Sequence, residues 1–132
     1  MRFAVAVHEE RGKYGVTVPD LPGCFAAGAS MDEALADARG AIDAHVETLI
    51  DDGGGLPAVR QIDEHRQDAA LTDAIWGFVE VPVEKYFGPA EKINITVPAM
   101  VLKRIDEYAE KNGESRSGFL VRAATEAISK AG

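Results

Sequence analysis

The chain has 132 residues, of which 46% are hydrophobic and 27% charged, and a formal net charge of −8. This balance is typical of a globular protein and excludes a wholly disordered chain, and the apolar runs are too short for a membrane-spanning helix. The single cysteine, Cys24, excludes an intrachain disulfide, and the first residues lack the pattern of a secretory signal peptide. We therefore expect a soluble cytoplasmic protein without a membrane partner.

The charge is divided unevenly along the chain. Residues 1–89 contain 7 Lys and Arg against 16 Asp and Glu, whereas residues 90–132 contain 7 against 6. An acidic surface repels nucleic acid and attracts basic proteins, so the asymmetry favours different partners for the two parts. The alternative, that the negative charge only keeps a small domain in solution, stays open at this point.

Three short strands are predicted at the start of the chain. Residues 2–8 and 14–18 alternate apolar and other residues, which predicts a β-hairpin. Two prolines and a glycine interrupt the pattern over residues 19–23, and residues 24–29 then predict a third strand.

A long helix follows these strands. Ser30 and Glu33 form a capping box, in which the Ser30 hydroxyl accepts from the Glu33 N–H and the Glu33 carboxylate reaches back to Ser30. The helical spacing predicts an apolar stripe of Leu35, Ala38, Ile42, Val46 and Leu49. Residues 51–55 end this helix, residues 62–66 predict a short helix, and residues 76–83 predict another strand. The order β-β-β-α-β predicts an α+β domain with one helical layer.

The pattern changes after residues 87–90. Residues 92–97 alternate strictly between polar and β-branched apolar residues, which predicts a strand, and Pro98 suits the start of a helix. Residues 112–113 stop that helix, and Ser115 can cap a second amphipathic one. The end of the chain is therefore predicted to be β-α-α.

We predict two domains, residues 1–85 and residues 91–132, joined by a linker at residues 86–90. About forty residues rarely bury enough core to fold alone, and this segment has neither a disulfide nor a zinc-binding Cys/His cluster. A twofold dimer resolves the difficulty, because two copies of the strand over residues 92–97 can pair antiparallel. Ile93, Ile95 and Val97 would then face the helices.

The outer face of such a two-stranded ribbon fits the major groove of DNA. It would present side chains that can contact bases, namely Lys92, Asn94 and Thr96. The start of the last helix offers free N–H groups and a cation for phosphate contacts, at Ser115, Arg116, Ser117 and Gly118. These two sets predict a DNA-binding surface.

The C-terminal motifs resemble a known family. The run from Lys92 to Pro98, the Ile105–Asp106 pair and the run from Gly113 to Leu120, with Ala123, are similar to the ribbon-helix-helix repressors. The resemblance covers about the last forty residues and implies a dimeric β-α-α DNA-binding domain.

The N-terminal motifs resemble a second family. The run from Tyr14 to Cys24, densest over residues 19–24, followed by Gly28 and the helix start at residues 32–34, is similar to the HicB antitoxins. The resemblance covers about residues 1–85. It implies a partial RNase-H-like fold, neutralisation of a small RNA-cleaving HicA toxin, and repression of the operon that encodes both proteins. A toxin that binds RNA is expected to be basic, which suits the acidic N-terminal part.

The predicted partners are therefore the toxin, operator DNA and a second copy of the chain. The homodimer forms through the C-terminal domain, and the N-terminal domains could pair as well to give a tetramer. We expect toxin contacts at Tyr14, Asp20, Pro22 and Trp76, although a single tryptophan in a strand often belongs to the core instead.

No catalytic site, metal site or cofactor is predicted. The carboxylates, Asp20 among them, show no recognisable metal spacing, so a surviving metal-dependent ribonuclease is the weakest alternative. His8, His45 and His65 share no ligand spacing, and Cys24 fits a small buried residue better than a nucleophile. The remaining alternative is a ribbon-helix-helix repressor whose N-terminal domain senses a small ligand and has no toxin partner.

Overall fold

The structure, a computed structural model, describes residues 1–55 and 57–131, with residues 129–131 described without their side chains. It divides into two compact units, Met1–Gly88 and Pro89–Gly132. In chain order the elements are β1 (Arg2–Glu10), β2 (Lys13–Thr17), β3 (Phe25–Gly28), α1 (Met31–Asp51), α2 (Ile62–His65), β4 (Ile75–Glu80), α3 (Ala99–Lys111) and α4 (Arg116–Ala131). No helix in these ranges is both long and apolar enough to cross a membrane.

The N-terminal unit contains one antiparallel sheet with the strand order β3-β2-β1-β4. The β1–β2 hairpin turns at Arg11 and Gly12, which both have positive φ (55° and 76°), as a type I′ turn requires. The α+β class, the hairpin and the short helix α2 confirm the sequence predictions. The last strand is shorter than predicted, because β4 ends at Glu80 and residues 83–86 form a 3₁₀ turn beyond Pro82.

Helix α1 begins at the predicted cap. The Glu33 N–H donates to Ser30 Oγ at 3.1 Å, as the capping box requires. The Glu33 carboxylate, however, accepts from the N–H of Ala29 at 3.1 Å and not from that of Ser30. The carboxylate therefore fixes the end of β3 to the start of the helix, which the sequence pattern does not show.

One face of the sheet packs on α1 and forms the core. Phe3, Val5 and Val7 of β1 are buried against the helix. The buried helix positions are Ala34, Ala38, Ile42 and Val46. The predicted stripe is wrong at its edges, because Leu35 and Leu49 are only half-buried while Ala34 is fully buried. A small residue is favoured at position 34 because β3 approaches the helix closely there.

The predicted strand over residues 92–97 is not formed in the single chain. This segment makes no hydrogen-bonded strand, and Ile93 and Ile95 are 78% and 59% exposed and do not face the helices. A strand needs a neighbouring strand for its hydrogen bonds, and the described part of the C-terminal unit contains none.

Polar contacts hold α4 to the loop before it, and an aromatic contact joins α4 to α3. Arg122 donates two hydrogen bonds to the Glu114 carboxylate at 3.0 and 2.9 Å, and the Tyr108 and Phe119 rings lie 5.2 Å apart at a tilt of 56°. Between residues 89 and 128 only Ala109 is buried. Helix α3 ends at Lys111, and Gly113, two residues beyond it, has a φ of 68°, which suits the predicted helix stop.

Candidate functional site

The four residues expected to contact a toxin do not form one surface. Tyr14 packs against the core on the α1 side of the sheet, whereas Trp76 pairs with Ala6 and lies on the opposite face. Pro22 is exposed, but the Asp20 side chain is only 1% exposed. Asp20 therefore cannot make direct contact with a protein while this arrangement holds.

Asp20 and Trp76 are instead joined by His65. The Nε2 atom of His65 lies 3.0 Å from Asp20 Oδ1, and its ring is stacked on Trp76 with centroids 6.1 Å apart and planes 11° apart. The three residues come from the β2–β3 loop, α2 and β4. This cluster, Asp20–His65–Trp76, ties the segment after α1 to the sheet.

Sequence reasoning missed His65 as a member of this cluster. It lies 45 residues from Asp20, and no spacing rule connects two loops over such a distance. The His65 side chain is only 10% exposed, so its stacking buries part of Trp76 and fixes the orientation of that ring.

The Asp20 carboxylate is held in an unusual environment. Its Oδ1 atom accepts from the Arg60 N–H at 3.2 Å and faces His65, whereas Oδ2 is buried without a hydrogen-bond partner among the described residues. Burial raises the pKa of Asp20 above its usual value, and the contacts with Arg60 and His65 oppose that shift. The ionised carboxylate therefore destabilises the fold relative to the protonated one.

We expect Asp20→Asn to remove a pH-dependent part of the folding stability. The pKa of Asp20 is higher in the folded chain than in the unfolded chain, where it is near 3.8. Below pH 3.8 the protonated carboxyl therefore contributes its full stability, and this stability is lost as the pH rises through the pKa of the folded chain. Urea unfolding at a series of pH values above 3.8 should show the wild type losing stability relative to the variant. The His65→Gln variant keeps Asp20 buried and should still show this loss, and a constant difference between wild type and Asp20→Asn would contradict the linkage.

The predicted phosphate-binding residues lie at the start of α4, and three of them have hydrogen-bond partners within the chain. Ser115 Oγ accepts from the Gly118 N–H at 3.0 Å. The Arg116 guanidinium donates two hydrogen bonds of 2.8 Å to Asp106, and this lowers the pKa of that carboxyl. Ser117 is exposed, and its backbone remains at the helix terminus where an anion can bind.

The predicted base-reading residues are exposed together. Lys92, Asn94 and Thr96 lie in the same segment as the exposed Ile93 and Ile95. More apolar side chains are exposed on the two helices of this unit, namely Met100, Val101, Tyr108, Val121 and Ile128. An isolated unit that leaves this much apolar surface in water is typical of a chain that buries it against a partner.

The described residues contain neither a reactive cysteine nor a metal-binding group. Cys24 is buried, as predicted, and burial raises the pKa of its thiol, which disfavours the reactive thiolate. No three His, Cys, Asp or Glu side chains within residues 1–55 and 57–131 are grouped in a way that could hold a metal ion.

Comparison with known proteins gives a consistent result. Residues 3–124 match the family described as HicB-like antitoxin of bacterial toxin–antitoxin systems. The chain is 41% identical to the antitoxin HicB of Burkholderia pseudomallei, with a TM-score of 0.70 to its crystal structure over 97% of this chain and 98% of that one. An uncharacterized 14.9 kDa protein in the rep-hol intergenic region of Haemophilus phage HP1 is 39% identical over 127 residues, which are 95% of this chain and 96% of that protein.

A solved complex is also similar. In the HicA3 and HicB3 toxin–antitoxin complex, one chain is 27% identical to this protein, with a TM-score of 0.53 over 61% of this chain and 98% of that one.

The matches to antitoxins, along an α+β unit followed by two helices, indicate a non-enzymatic regulatory protein. The chain belongs to the HicB-like antitoxin family of bacterial toxin–antitoxin systems. The resemblance of its N-terminal motifs to HicB antitoxins is thereby confirmed.

Proposed function

We propose that this protein neutralises a small, basic, HicA-type mRNA-cleaving toxin and represses the operon that encodes both proteins. The observation that carries the proposal is the match to HicB antitoxins along both units, over residues 3–124. The similarity to a chain in a HicA3–HicB3 complex supports a toxin of that class as the partner. With a toxin and operator DNA as its partners, the protein would act in the cytoplasm.

The N-terminal unit is proposed to bind the toxin. Its excess of acidic residues gives residues 1–89 a net charge of −9, which complements a protein that must itself bind RNA. On the face of the sheet opposite α1, the partly buried Trp76 and the half-exposed Phe78 offer apolar anchors among these charges. Asp20 contributes by holding His65 against Trp76 and not by touching the toxin.

The C-terminal unit is proposed to form a ribbon-helix-helix dimer on DNA. Pairing of two segments over residues 92–97 would supply the hydrogen bonds that this segment lacks and would cover Ile93 and Ile95. The outer face of the ribbon would then carry Lys92, Asn94 and Thr96 into the major groove. A phosphate at the start of α4 would be bound by backbone N–H groups, with Arg116 held in place by Asp106.

The two activities should separate on truncation. We expect a chain that ends at Gly88 to rescue cells that express the cognate HicA-type toxin, because the core of that unit lies wholly within residues 1–88. The same truncation should lose all repression of an operator–reporter fusion, because the ribbon and α4 are missing. Growth rescue and reporter output, measured in the same strain, test both statements.

The full-length chain is the matched control and should give both rescue and repression. Failure of the full-length chain to rescue any neighbouring toxin, with repression intact, would replace the antitoxin proposal with a ligand-sensing repressor. Full repression by the truncated chain would contradict the assignment of DNA binding to the C-terminal unit.

A further inference from the structure

The two ends of α1 suit the helix dipole unequally. The first turn carries Asp32 and Glu33, and acidic side chains stabilise the positive N-terminal end of a helix. The last turn carries no basic residue, and the helix ends at Asp51 with Asp52 as its C-cap. Two carboxylates therefore lie at the negative end of the dipole, where lysine or arginine is the favourable residue. Neither carboxylate forms an ion pair within the described chain.

A recess lies beside this end of α1, between the helix and the start of β3, with a volume of about 480 Å³. Its walls are largely apolar and include Phe25 of β3 and, from the helix, Ala41, Ala44 and Leu49. Its polar side chains are His45, Thr48 and Asp52. Phe25 is 65% exposed, and Ala44 and Asp52 are exposed as well, so the recess is open to solvent. An open apolar recess with a carboxylate at one end fits a long side chain that carries a cation at its tip.

The backbone of β3 adds an acceptor to the recess. Residues 24 and 26 bond to β2, so the alternation of the ladder turns the backbone groups of residues 25 and 27 away from β2. The outward N–H of Ala27 donates to Asp37 Oδ2 at 3.0 Å. The outward C=O of Phe25, in contrast, accepts no hydrogen bond from the described residues. The recess therefore offers a donor two acceptors, this carbonyl and the Asp52 carboxylate.

We propose that this recess receives an arginine side chain of the toxin, whose stem lies on the apolar walls and whose guanidinium pairs with Asp52. This assignment rests on the proposed function, in which a basic toxin is the partner of the acidic N-terminal unit. Arginine fits better than lysine because its planar guanidinium can donate to the Asp52 carboxylate and the Phe25 carbonyl at once. Its charge would also balance the two carboxylates at the C-terminal end of α1.

The recess lies within reach of the apolar anchors proposed above. Phe25 pairs with Thr17, which pairs in turn with Ala6. Directly paired residues lie on one face of a sheet, so Phe25 shares a face with Trp76, the partner of Ala6 in β4. Strands β3 and β4 are three strand spacings apart, about 14 Å. One protein seated on that face can therefore place a side chain around the β3 edge into the recess.

Charge reversal at Asp52 separates toxin binding from folding stability. In the full-length chain, Asp52→Lys should weaken the complex with the purified cognate HicA-type toxin at least about tenfold, measured as the dissociation constant by calorimetry. The same variant should unfold at a higher urea concentration than the wild type, because it places a cation at the negative end of α1. A carboxylate with only a structural role would not lower affinity while its replacement raises stability.

Glu10→Lys is the matched control for the charge. Glu10 is exposed at the end of β1, outside the recess, and its reversal changes the net charge by the same amount. Screening by salt limits the effect of such a distant charge, so toxin affinity should stay within about twofold of the wild type.

A second variant fills the recess without changing the charge. Ala44 is exposed on α1 and lines the recess, so Ala44→Phe can occupy it without disturbing the core. This variant should weaken toxin binding to a similar extent as Asp52→Lys. Ala36→Phe makes the same change at an exposed position of α1 outside the recess and should bind the toxin as the wild type does.

The outcomes distinguish the recess from the proposed function. Unchanged toxin affinity in both Asp52→Lys and Ala44→Phe, with a wild type that binds, would overturn the recess and leave the function standing. Equal loss of affinity in Asp52→Lys and Glu10→Lys would reduce the effect to attraction between net charges and would also overturn the recess. A wild-type chain that binds no toxin would overturn the proposed function and the recess with it.

Discussion

Gly28→Ala should destabilise the N-terminal unit more than any other single methyl addition at a described glycine. A Cβ at this position would lie 2.4 Å from the backbone N of Ala34 and 2.8 Å from the carbonyl carbon of Glu33. Both atoms belong to the first turn of α1, so β3 and the helix must separate. Overpacking of this kind costs about 1–3 kcal/mol, and a contact with backbone favours the upper end. The change is measured as the shift in the free energy of unfolding in urea.

Gly40→Ala is the matched control within the same unit. Gly40 lies in the middle of α1, and a Cβ there meets nothing within 4 Å. Because alanine is the better helix former, this variant should gain about 0.5–1 kcal/mol. Equal stability of the two variants would show that β3 does not approach α1 as closely as the structure places it.

The second large effect is expected on DNA. Asn94→Ala should abolish the preference for the operator while the dimer stays folded, because residue 94 is expected on the outer face of the ribbon. A bidentate contact from asparagine to adenine contributes about 1–3 kcal/mol of discrimination, and a twofold dimer loses it in both half-sites. We therefore expect operator affinity to fall at least about tenfold, toward the affinity for random DNA, in a titration at fixed salt.

Lys111→Ala serves as the comparison for this experiment. Lys111 is exposed at the end of α3, outside the ribbon, and its loss should leave the preference for the operator unchanged. Circular dichroism and native mass establish whether the Asn94→Ala dimer is intact. A dimer that falls apart would mean that the strand is inverted, with residues 92, 94 and 96 turned toward the helices.

Local patterns predicted most of the N-terminal elements. The alternation in β1 and β2 and the Ser30 cap are properties of neighbouring residues, and the structure confirms them. The helix stripe was predicted with Leu35 and Leu49 in place of Ala34. The spacing of apolar residues predicts which face of α1 is buried. The close approach of β3 determines that Ala34 is buried on that face.

Contacts between distant segments could not be predicted. Asp20, His65 and Trp76 meet only because the chain folds back over the sheet, and no pattern in the sequence encodes that meeting. Arg116 was assigned to phosphate binding from its place at a helix start. Its pairing with Asp106 needed the geometry of two helices, and it gives the Ile105–Asp106 motif a role within the chain.

The predicted strand over residues 92–97 is absent from the single chain for another reason. Its alternating strand pattern is clear, but under the proposed dimer the hydrogen bonds that would make it a strand come from a second chain. Contacts of residues 92–97 with bases depend on that pairing of two chains. The base-reading and phosphate-binding residues therefore stay predictions.

Under the proposed C-terminal dimer, the small interior of this unit would link its folding to the amount of protein in the cell. Only Ala109 is buried between residues 89 and 128, whereas the N-terminal unit has its own core. A unit that takes its stability from association unfolds on dilution by mass action, and its unfolded segments are then open to proteases. Growth without new synthesis would therefore remove the C-terminal unit first and relieve repression while the N-terminal unit is still folded. Under the proposed function, the gene pair would restart transcription before the toxin is released.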